Sequence, residues 1–318
     1  MASPRRFPQQ IAHHMHILLI FIDGIGLGDD DPQKNPFSVA DMPTLTGLTN
    51  GQRWVRCIGR QESDRALFLP LDPRMGVAGR PQSGTGHATI ITGRNIPAEI
   101  GKHYGPKPDA DTRAIVASGS IFTDMVNAGK TASLLTAYPP FLLHNIARGK
   151  SLPTSFQAAA TSAGQTLYTI DDLRNGTALS ADWTGRGWHR DLNHNDVPVM
   201  SSEDGGKHMV TLSRQFDFAL QSHIFTDYVG HRGEVPDGVR LLERLDTVMA
   251  GALSTWQDDE GLMVLVSDHG NMEDLSIRQH TENDVPCLII GEKCHEFAEG
   301  LATLADLVPS MRRLLLGD

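Results

Sequence analysis

The sequence has few cysteines and no long apolar run. Its 318 residues include three cysteines, Cys57, Cys287 and Cys294. Three scattered thiols exclude a disulfide framework and a zinc site built from thiolates. The longest continuous apolar stretch, residues 17–22, is far shorter than the roughly 20 residues that a membrane-spanning helix needs. Since no secretory leader pattern is present either, the sequence predicts a soluble cytoplasmic protein that does not bind membranes.

The chain also has no strongly basic segment. Its formal net charge is −10 at pH 7, and residues 101–210 contain ten basic and ten acidic side chains. The excess negative charge therefore lies entirely outside this middle stretch. Such an acidic protein repels nucleic acid, so we predict no nucleic-acid partner. An acidic protein can still bind an anionic small molecule where metal ions cover its carboxylates.

Short apolar runs alternate along the chain with helical patterns. Runs typical of strands buried on both faces cover residues 17–22, 131–137, 165–170, 218–225, 262–266 and 285–290. Patterns typical of helices cover residues 43–49, 90–92, 239–256 and 301–316. This alternation predicts an α/β fold with a central sheet sandwiched between helices.

The middle of the chain does not follow this pattern. Residues 101–208 lack polar side chains placed directly after apolar runs and are richer in glycine, tryptophan and mixed charge. We therefore predict a core formed by residues 1–100 and 209–318, with residues 101–208 inserted as a smaller cap. His13, His14 and His16 precede the first strand and are expected to form an exposed lead-in rather than a metal-binding tract.

Acidic, histidine and hydroxyl side chains follow several of the predicted strands. Because the carboxyl ends of strands in an open α/β sheet meet at one edge, these side chains are expected to converge there. Carboxylates and imidazoles together suit Mn or Zn, with Mg as the alternative, and six such ligands suffice for two divalent ions. The converging residues are Asp23, Ser83, His87, Asp227, His231, Asp268, His269 and His280.

Five motifs occur in a fixed order, and together they resemble the alkaline phosphatase superfamily. They are D-G-x-G at 23–26, S-x-x-G-H at 83–87 with T-G-R at 92–94, D-x-V-G-H at 227–231, D-H-G-N at 268–271 and H-T-x-N-x-V-P at 280–286. The resemblance is to the branch that contains cofactor-independent phosphoglycerate mutase and phosphopentomutase. It implies an alkaline-phosphatase-like core that carries an inserted cap.

The resemblance also implies roles for individual residues. One metal is expected on Asp23, Asp268, His269 and Ser83, and the second on Asp227, His231 and His280. Ser83 is the implied nucleophile, and Thr85 is the competing candidate. Arg94, Lys102 and His103 are candidate substrate contacts, with a surface ion pair as the alternative for Arg94. His87 and Asn271 are expected to support neighbouring loops and ligands, and the segment 186–194 is a weaker candidate for substrate contact.

The implied activity is phosphoryl transfer on a small phosphate ester through a phosphoserine, as a mutase or a phosphatase. Phosphodiester or phosphonate hydrolysis in the same superfamily is an alternative, and a non-catalytic metal-binding relative is another. A sulfatase is not expected, because the C/S-x-P-x-R context of sulfatases is missing around Ser83. The substrate's identity and the oligomeric state are left open by the sequence.

Overall fold

A mixed seven-stranded sheet forms the centre of the computed structural model, which describes residues 15–317. Its strand order is β2-β3-β7-β6-β1-β5-β4. Strands β4, β5, β1 and β6 run parallel, whereas β7 is antiparallel to β6, and β3 pairs antiparallel with both β7 and β2. The strands are β1 (His16–Ile22), β2 (Gln61–Ser63), β3 (Ala66–Leu71), β4 (Ala132–Leu134), β5 (Phe218–His223), β6 (Gly261–Val266) and β7 (Val285–Ile290).

Helices cover both faces of this sheet, as the predicted fold class requires. In β1, Ile17, Leu19 and Phe21 pack into one apolar cluster and Leu18, Ile20 and Ile22 into another, because alternate side chains of a strand point to opposite faces. The predicted α/β sandwich is therefore confirmed. The helices are α1 (Pro43–Gly47), α2 (Ser83–Thr92), α3 (Ile96–Ile100), α4 (Ala110–Ser118), α5 (Ile121–Asn127), α6 (Pro140–Ala147), α7 (Ser155–Ser162), α8 (Ile170–Arg174), α9 (Arg186–Leu192), α10 (Ser202–Ser213), α11 (Phe225–Arg232), α12 (Val235–Leu253), α13 (Cys294–Ala298) and α14 (Leu307–Leu316).

Two local predictions are wrong. Residues 165–169 form no strand, because the Gln165 side chain, rather than a backbone ladder, accepts the Leu134 N–H at the edge of β4. His16 is buried as the first residue of β1, with its ring 4.9 Å from that of Trp256, and is not an exposed lead-in. His13 and His14 lie outside the described residues.

Residues 101–208, the predicted cap, contribute one strand to the central sheet and also form a separate apolar cluster. Strand β4 pairs with β5, and helices α4 and α7 pack against α2. A small third apolar cluster instead includes Ala137, Leu173 and Trp188. The boundaries of a cap at 101–208 stay a prediction, and the β4 pairing shows that part of this stretch belongs to the central sheet.

The two antiparallel strands explain why distant loops meet at one edge of the sheet. Val266 at the end of β6 lies beside Cys287 near the start of β7, so the loop before β7 reaches the carboxyl edge of the parallel strands. Strand β3 ends at Leu71 beside Val285, so the chain that leads to α2 leaves from the same edge. None of the helices within residues 15–317 combines the length and apolar character needed to cross a membrane. The cytoplasmic location stays a prediction.

Candidate metal centre and nucleophile

Two buried aspartates extend from neighbouring strands at the carboxyl edge of the sheet. Asp23 follows β1 and Asp268 follows β6, and these strands pair in parallel register. Gly24 turns the chain directly after Asp23 with a positive φ of 69°. A Cβ at Gly24 would lie 2.7 Å from that of Asp227, so glycine is needed both for the turn and for the close approach of a third carboxylate.

Ser83 is the first residue of α2 and faces these aspartates. Its hydroxyl oxygen lies 3.0 Å from Nε2 of His269. The first N–H groups of a helix have no partner within the helix, so this end of α2 favours a bound anion. Thr85 differs from Ser83, because its hydroxyl donates to the Gln82 carbonyl at 3.1 Å and accepts the Tyr104 N–H at 3.2 Å. Thr85 is thus engaged with the backbone.

Asp23, Ser83, Asp268 and His269 form a first cluster. Nε2 of His269 lies 3.4 Å from Oδ1 of Asp23 and 3.4 Å from Oδ2 of Asp268. Burial lowers the pKa of His269, which keeps the imidazole neutral as a metal ligand must be. The four predicted ligands of the first metal therefore lie together.

Asp227, His231 and His280 form a second cluster. Asp227 and His231 are four residues apart on α11 and so share one face of the helix. Nε2 of His280 lies 3.2 Å from Nε2 of His231 and 3.5 Å from Oδ1 of Asp227. The Nδ1 atoms of the two histidines lie beside the carbonyls of Arg278 and Pro81, at 3.1 Å and 2.8 Å. These bonds direct both Nε2 atoms into the cluster.

His87 connects the two aspartates of the first cluster. Its Nε2 lies 3.5 Å from Asp23 Oδ2 and 3.3 Å from Asp268 Oδ2, and its ring stacks on Phe156. Burial by itself lowers the pKa of His87, but the charges of Asp268 and Asp23 outweigh burial and raise it to about 10. His87 is therefore positively charged beside the two carboxylates.

Both aspartates carry buried oxygens that need a cation. Oδ1 of Asp23 and both carboxylate oxygens of Asp268 are buried and lack a hydrogen-bond donor among the described residues. Burial, with the added charge of Asp268, raises the pKa of Asp23 to about 6. His87 supplies one positive charge for two buried carboxylates, so a divalent ion would neutralise the remaining charge and use the free lone pairs. The donor atoms of Asp23, His87 and Asp268 lie within 4.8 Å of one another, as do those of Asp227, His269 and His280. The residues present thus fit metal ions.

Glu273 is a buried residue of the site that none of the five sequence motifs includes. Its fully buried carboxylate accepts the backbone N–H groups of Gly26 at 3.0 Å and Asn271 at 2.7 Å. It also accepts from the Thr281 hydroxyl and the Asn283 amide. Glu273 therefore ties together three of the motif loops. The only signal in the sequence is an acidic residue just after D-H-G-N.

Asn271 supports the second cluster directly. Its side-chain amide donates to Oδ1 of Asp227, a predicted ligand, at 2.7 Å. Gly230 allows this contact, because a Cβ there would lie within 2.4–2.7 Å of the Asn271 side chain. The D-x-V-G-H motif therefore needs glycine at this position, because a larger side chain would collide with Asn271.

An open cleft of about 930 Å³ lies over Ser83 and the second cluster. Its walls carry the predicted Lys102 and His103, and also Arg80 and Arg278, which the sequence analysis did not select. Lys102 lies over the Tyr104 ring at 4.7 Å. The cleft thus offers cationic groups to an anionic ligand.

Arg94 and the segment 186–194 do not face this cleft. The Arg94 guanidinium forms a two-pronged ion pair with Glu99, the alternative expected for it. In α9, Arg190 pairs with Asp191, and His189 Nε2 lies 2.7 Å from the Val197 carbonyl. These polar groups therefore pair with each other or with nearby backbone.

Comparison with known proteins gives one family match and several relatives. Residues 192–316 match the model of the metalloenzyme superfamily. The chain is 32% identical over 111 residues to the 2,3-bisphosphoglycerate-independent phosphoglycerate mutase of Methylobacillus flagellatus, covering 33% of this chain and 22% of that protein. It is 31% identical over 238 residues to the enzyme of the same name from Vibrio campbellii, covering 68% of this chain and 44% of that protein. The matches thus span less than half the length of these relatives.

A solved structure has the same fold along nearly the whole chain. The PH0037 protein of Pyrococcus horikoshii covers 96% of this chain and 98% of its own, with a TM-score of 0.56 and 16% identity. At this identity the likeness supports the fold alone.

Proposed function

The chain belongs to the alkaline phosphatase superfamily of metalloenzymes, and from this premise we propose that it is a two-metal enzyme that transfers the phosphoryl group of a small phosphate ester. One observation carries the proposal. Six candidate ligand residues from separate parts of the chain form two adjoining clusters beside Ser83, the seventh candidate. The stacked rings of His269 and His280, 3.7 Å apart, join the two clusters.

Each residue of the site has a role in this proposal. Asp23, Ser83, Asp268 and His269 would hold one divalent ion, and Asp227, His231 and His280 the other. Mn or Zn suits this mixture of carboxylate and imidazole ligands, with Mg as the alternative. When bound, the two ions would lower the pKa of the Ser83 hydroxyl and neutralise charge on the phosphoryl oxygens.

The chain's own groups then position the reaction. The Thr85 N–H donates to the Tyr104 carbonyl at 2.9 Å, so the N–H groups of Ser83 and Gly84 are the ones that would bind phosphoryl oxygens. Ser83 Oγ loses its proton to solvent and attacks phosphorus, and the ester oxygen leaves and takes up a proton from water, which gives a phosphoserine and the free alcohol. Arg80, Lys102 and Arg278 hold the substrate's charge in the cleft. Either water or the reoriented substrate then accepts the phosphoryl group from Ser83. The cleft is open over Ser83 and its rim is solvent-exposed, which favours water.

Phosphorus NMR tests the proposal. The purified protein is mixed with Mn²⁺ and with phosphoglycerate, pentose phosphates and hexose phosphates. Growth of free phosphate is expected for a phosphatase, and a new ester resonance without free phosphate identifies a mutase. If the spectrum stays unchanged, the protein does not act on these esters. Phosphodiesters and phosphonates are then the next substrates, and if these are also unreacted, the chain is a non-catalytic metal-binding relative.

A further inference from the structure

A second cavity lies at the carboxyl ends of β4 and β5, on the other side of His87 from the aspartates. Its volume is about 340 Å³, within the range typical of small-molecule sites. We call it the apolar cavity. Its apolar walls are Phe141, Leu142, Phe156, Trp188, Ile224 and Phe225. The residues Gly105 and Pro106 line the cleft and Lys107 lines the apolar cavity, so one short segment borders both.

The polar groups around the apolar cavity are mostly satisfied within the protein. The Asp182 carboxylate accepts from Gly185 N–H at 2.9 Å and Gly187 N–H at 2.8 Å, and also from Ser180 and Thr184. The Trp188 indole N–H donates to the Ser180 hydroxyl at 3.1 Å. These groups therefore fix the wall and leave an apolar surface to a ligand.

Lys107 is the exception in this wall. It is half-buried, and within residues 15–317 its ammonium group has no hydrogen-bond or ion-pair partner. The Lys107 backbone lies against the start of α2, because a Cβ at Gly84, the residue after Ser83, would lie 2.9 Å from the Lys107 carbonyl oxygen. Burial lowers the pKa of Lys107, and the charge of Asp23 partly offsets this. An unpaired cation at this point suits one anionic group at the inner end of an otherwise apolar ligand.

Two further features bear on which ligand would suit this cavity. Phe141 and Ile224 line it, yet they are 59% and 50% exposed, and apolar side chains that share a cavity wall often contact ligands. No arginine lies among the cavity's described lining residues, and so nothing there can grip a carboxylate in a two-pronged manner.

We infer that the apolar cavity binds the organic part of the substrate and selects an uncharged aromatic or aliphatic group over a carboxylate or sugar. This inference rests on the proposed function and specifies its substrate class. A phosphate monoester would then place its phosphoryl group between Lys107 and Ser83 and its organic group against Phe156 and Trp188. The phosphoglycerate named for the sequence relatives lacks such a group.

The test compares 2-naphthyl phosphate with 3-phosphoglycerate on the Mn²⁺-loaded protein. We expect kcat/KM to be at least about tenfold higher for 2-naphthyl phosphate, since each buried methylene equivalent contributes about fourfold to the rate constant.

Calorimetry with 2-naphthol measures binding to the apolar cavity without any reaction. Ala181→Leu, which fills the cavity, should weaken binding of both naphthyl compounds at least about tenfold. Lys107→Met should weaken binding of 2-naphthyl phosphate alone.

Controls separate the possible failures. Phe141→Asp alters the exposed rim without touching the core and should also weaken naphthol binding, whereas Leu152→Ala, at an exposed apolar residue outside the cavity, should not. Equal or better turnover of 3-phosphoglycerate, or naphthol binding that Ala181→Leu and Phe141→Asp leave unchanged, overturns the inference. If naphthol binds as expected but no ester of any class reacts, the proposed function fails while the cavity's preference for apolar groups stands.

Discussion

The Glu273 carboxylate accepts the backbone N–H of Gly26 at 3.0 Å, although 247 positions separate the two residues. The same oxygen accepts the Asn271 N–H, and the other oxygen bonds to Thr281 and Asn283. One buried side chain thus holds the loops after β1 and β6 and the loop before β7. These loops carry Asp23, Asp268, His269 and His280, so Glu273 controls how the predicted metal ligands converge.

Glu273→Ala is expected to damage both stability and metal binding. It leaves two buried backbone N–H groups without an acceptor, which costs about 2–4 kcal/mol of unfolding free energy. Loss of such loop support typically weakens metal affinity by about 10–100-fold. Urea denaturation and metal titration measure the two effects. Glu273→Gln is the matched control, because its amide oxygen can still accept both N–H groups. Equal losses in the two variants would contradict this account.

Ser83→Ala and Thr85→Ser should separate the two candidate nucleophiles. Ser83→Ala removes the hydroxyl beside His269 and is expected to lower turnover at least about 1000-fold while the protein keeps most of its metal. Thr85→Ser keeps the hydroxyl that bonds to Gln82 and Tyr104, so its activity should match that of the unaltered protein. Steady-state kinetics and metal analysis provide the measurements. Activity retained in Ser83→Ala would transfer the role to Thr85 or to water.

Asp268→Asn should remove most of the stabilisation that metal gives. The buried carboxylate lies 3.3 Å from the charged His87 imidazole, and neither of its oxygens has a well-formed hydrogen-bond donor. The neutral amide removes one of the negative charges that a divalent ion would neutralise, so the variant should bind less metal. Adding Mn²⁺ should therefore raise the unfolding temperature of the variant less than that of the unaltered protein. Thermal unfolding with EDTA and with added Mn²⁺ measures the two shifts, and equal shifts would refute the argument.

His223 should make stability depend on pH. It is fully buried, with its ring stacked 3.9 Å from that of Trp183, and burial lowers the pKa of His223 to about 4. The unfolded chain takes up this proton near pH 6.5, so stability is lost as the pH falls from about 6.5 to 4, by about 3 kcal/mol in total.

The matched variant for this prediction is His223→Gln, which cannot titrate in that range. Between pH 7 and pH 4, urea denaturation should show the unaltered protein losing about 3 kcal/mol more than the variant. Identical pH profiles would mean that His223 does not carry this dependence.

Much of this protein could be predicted from local sequence. The continuous apolar runs of β1, β6 and β7 predict these strands correctly, because strands buried on both faces need continuous apolar residues. The motifs also predicted the superfamily, which the family match and relatives confirm. The strand expected at residues 165–170 failed because Gln165 bonds to the edge of β4 through its side chain. Nothing in the local pattern distinguishes that contact from a strand.

The sequence by itself determined the chemistry available, through ordered motifs that supply carboxylates, imidazoles and a serine. Only the tertiary structure decided which of these groups share a site and what supports them. The antiparallel β7 brings His280 to the carboxyl edge, His87 reaches both Asp23 and Asp268, and Lys107 stands unpaired beside an apolar cavity. These relationships depend on where distant loops meet, and the burial and neighbouring charges found there shift the pKa of each group in a way that spacing along the chain does not encode.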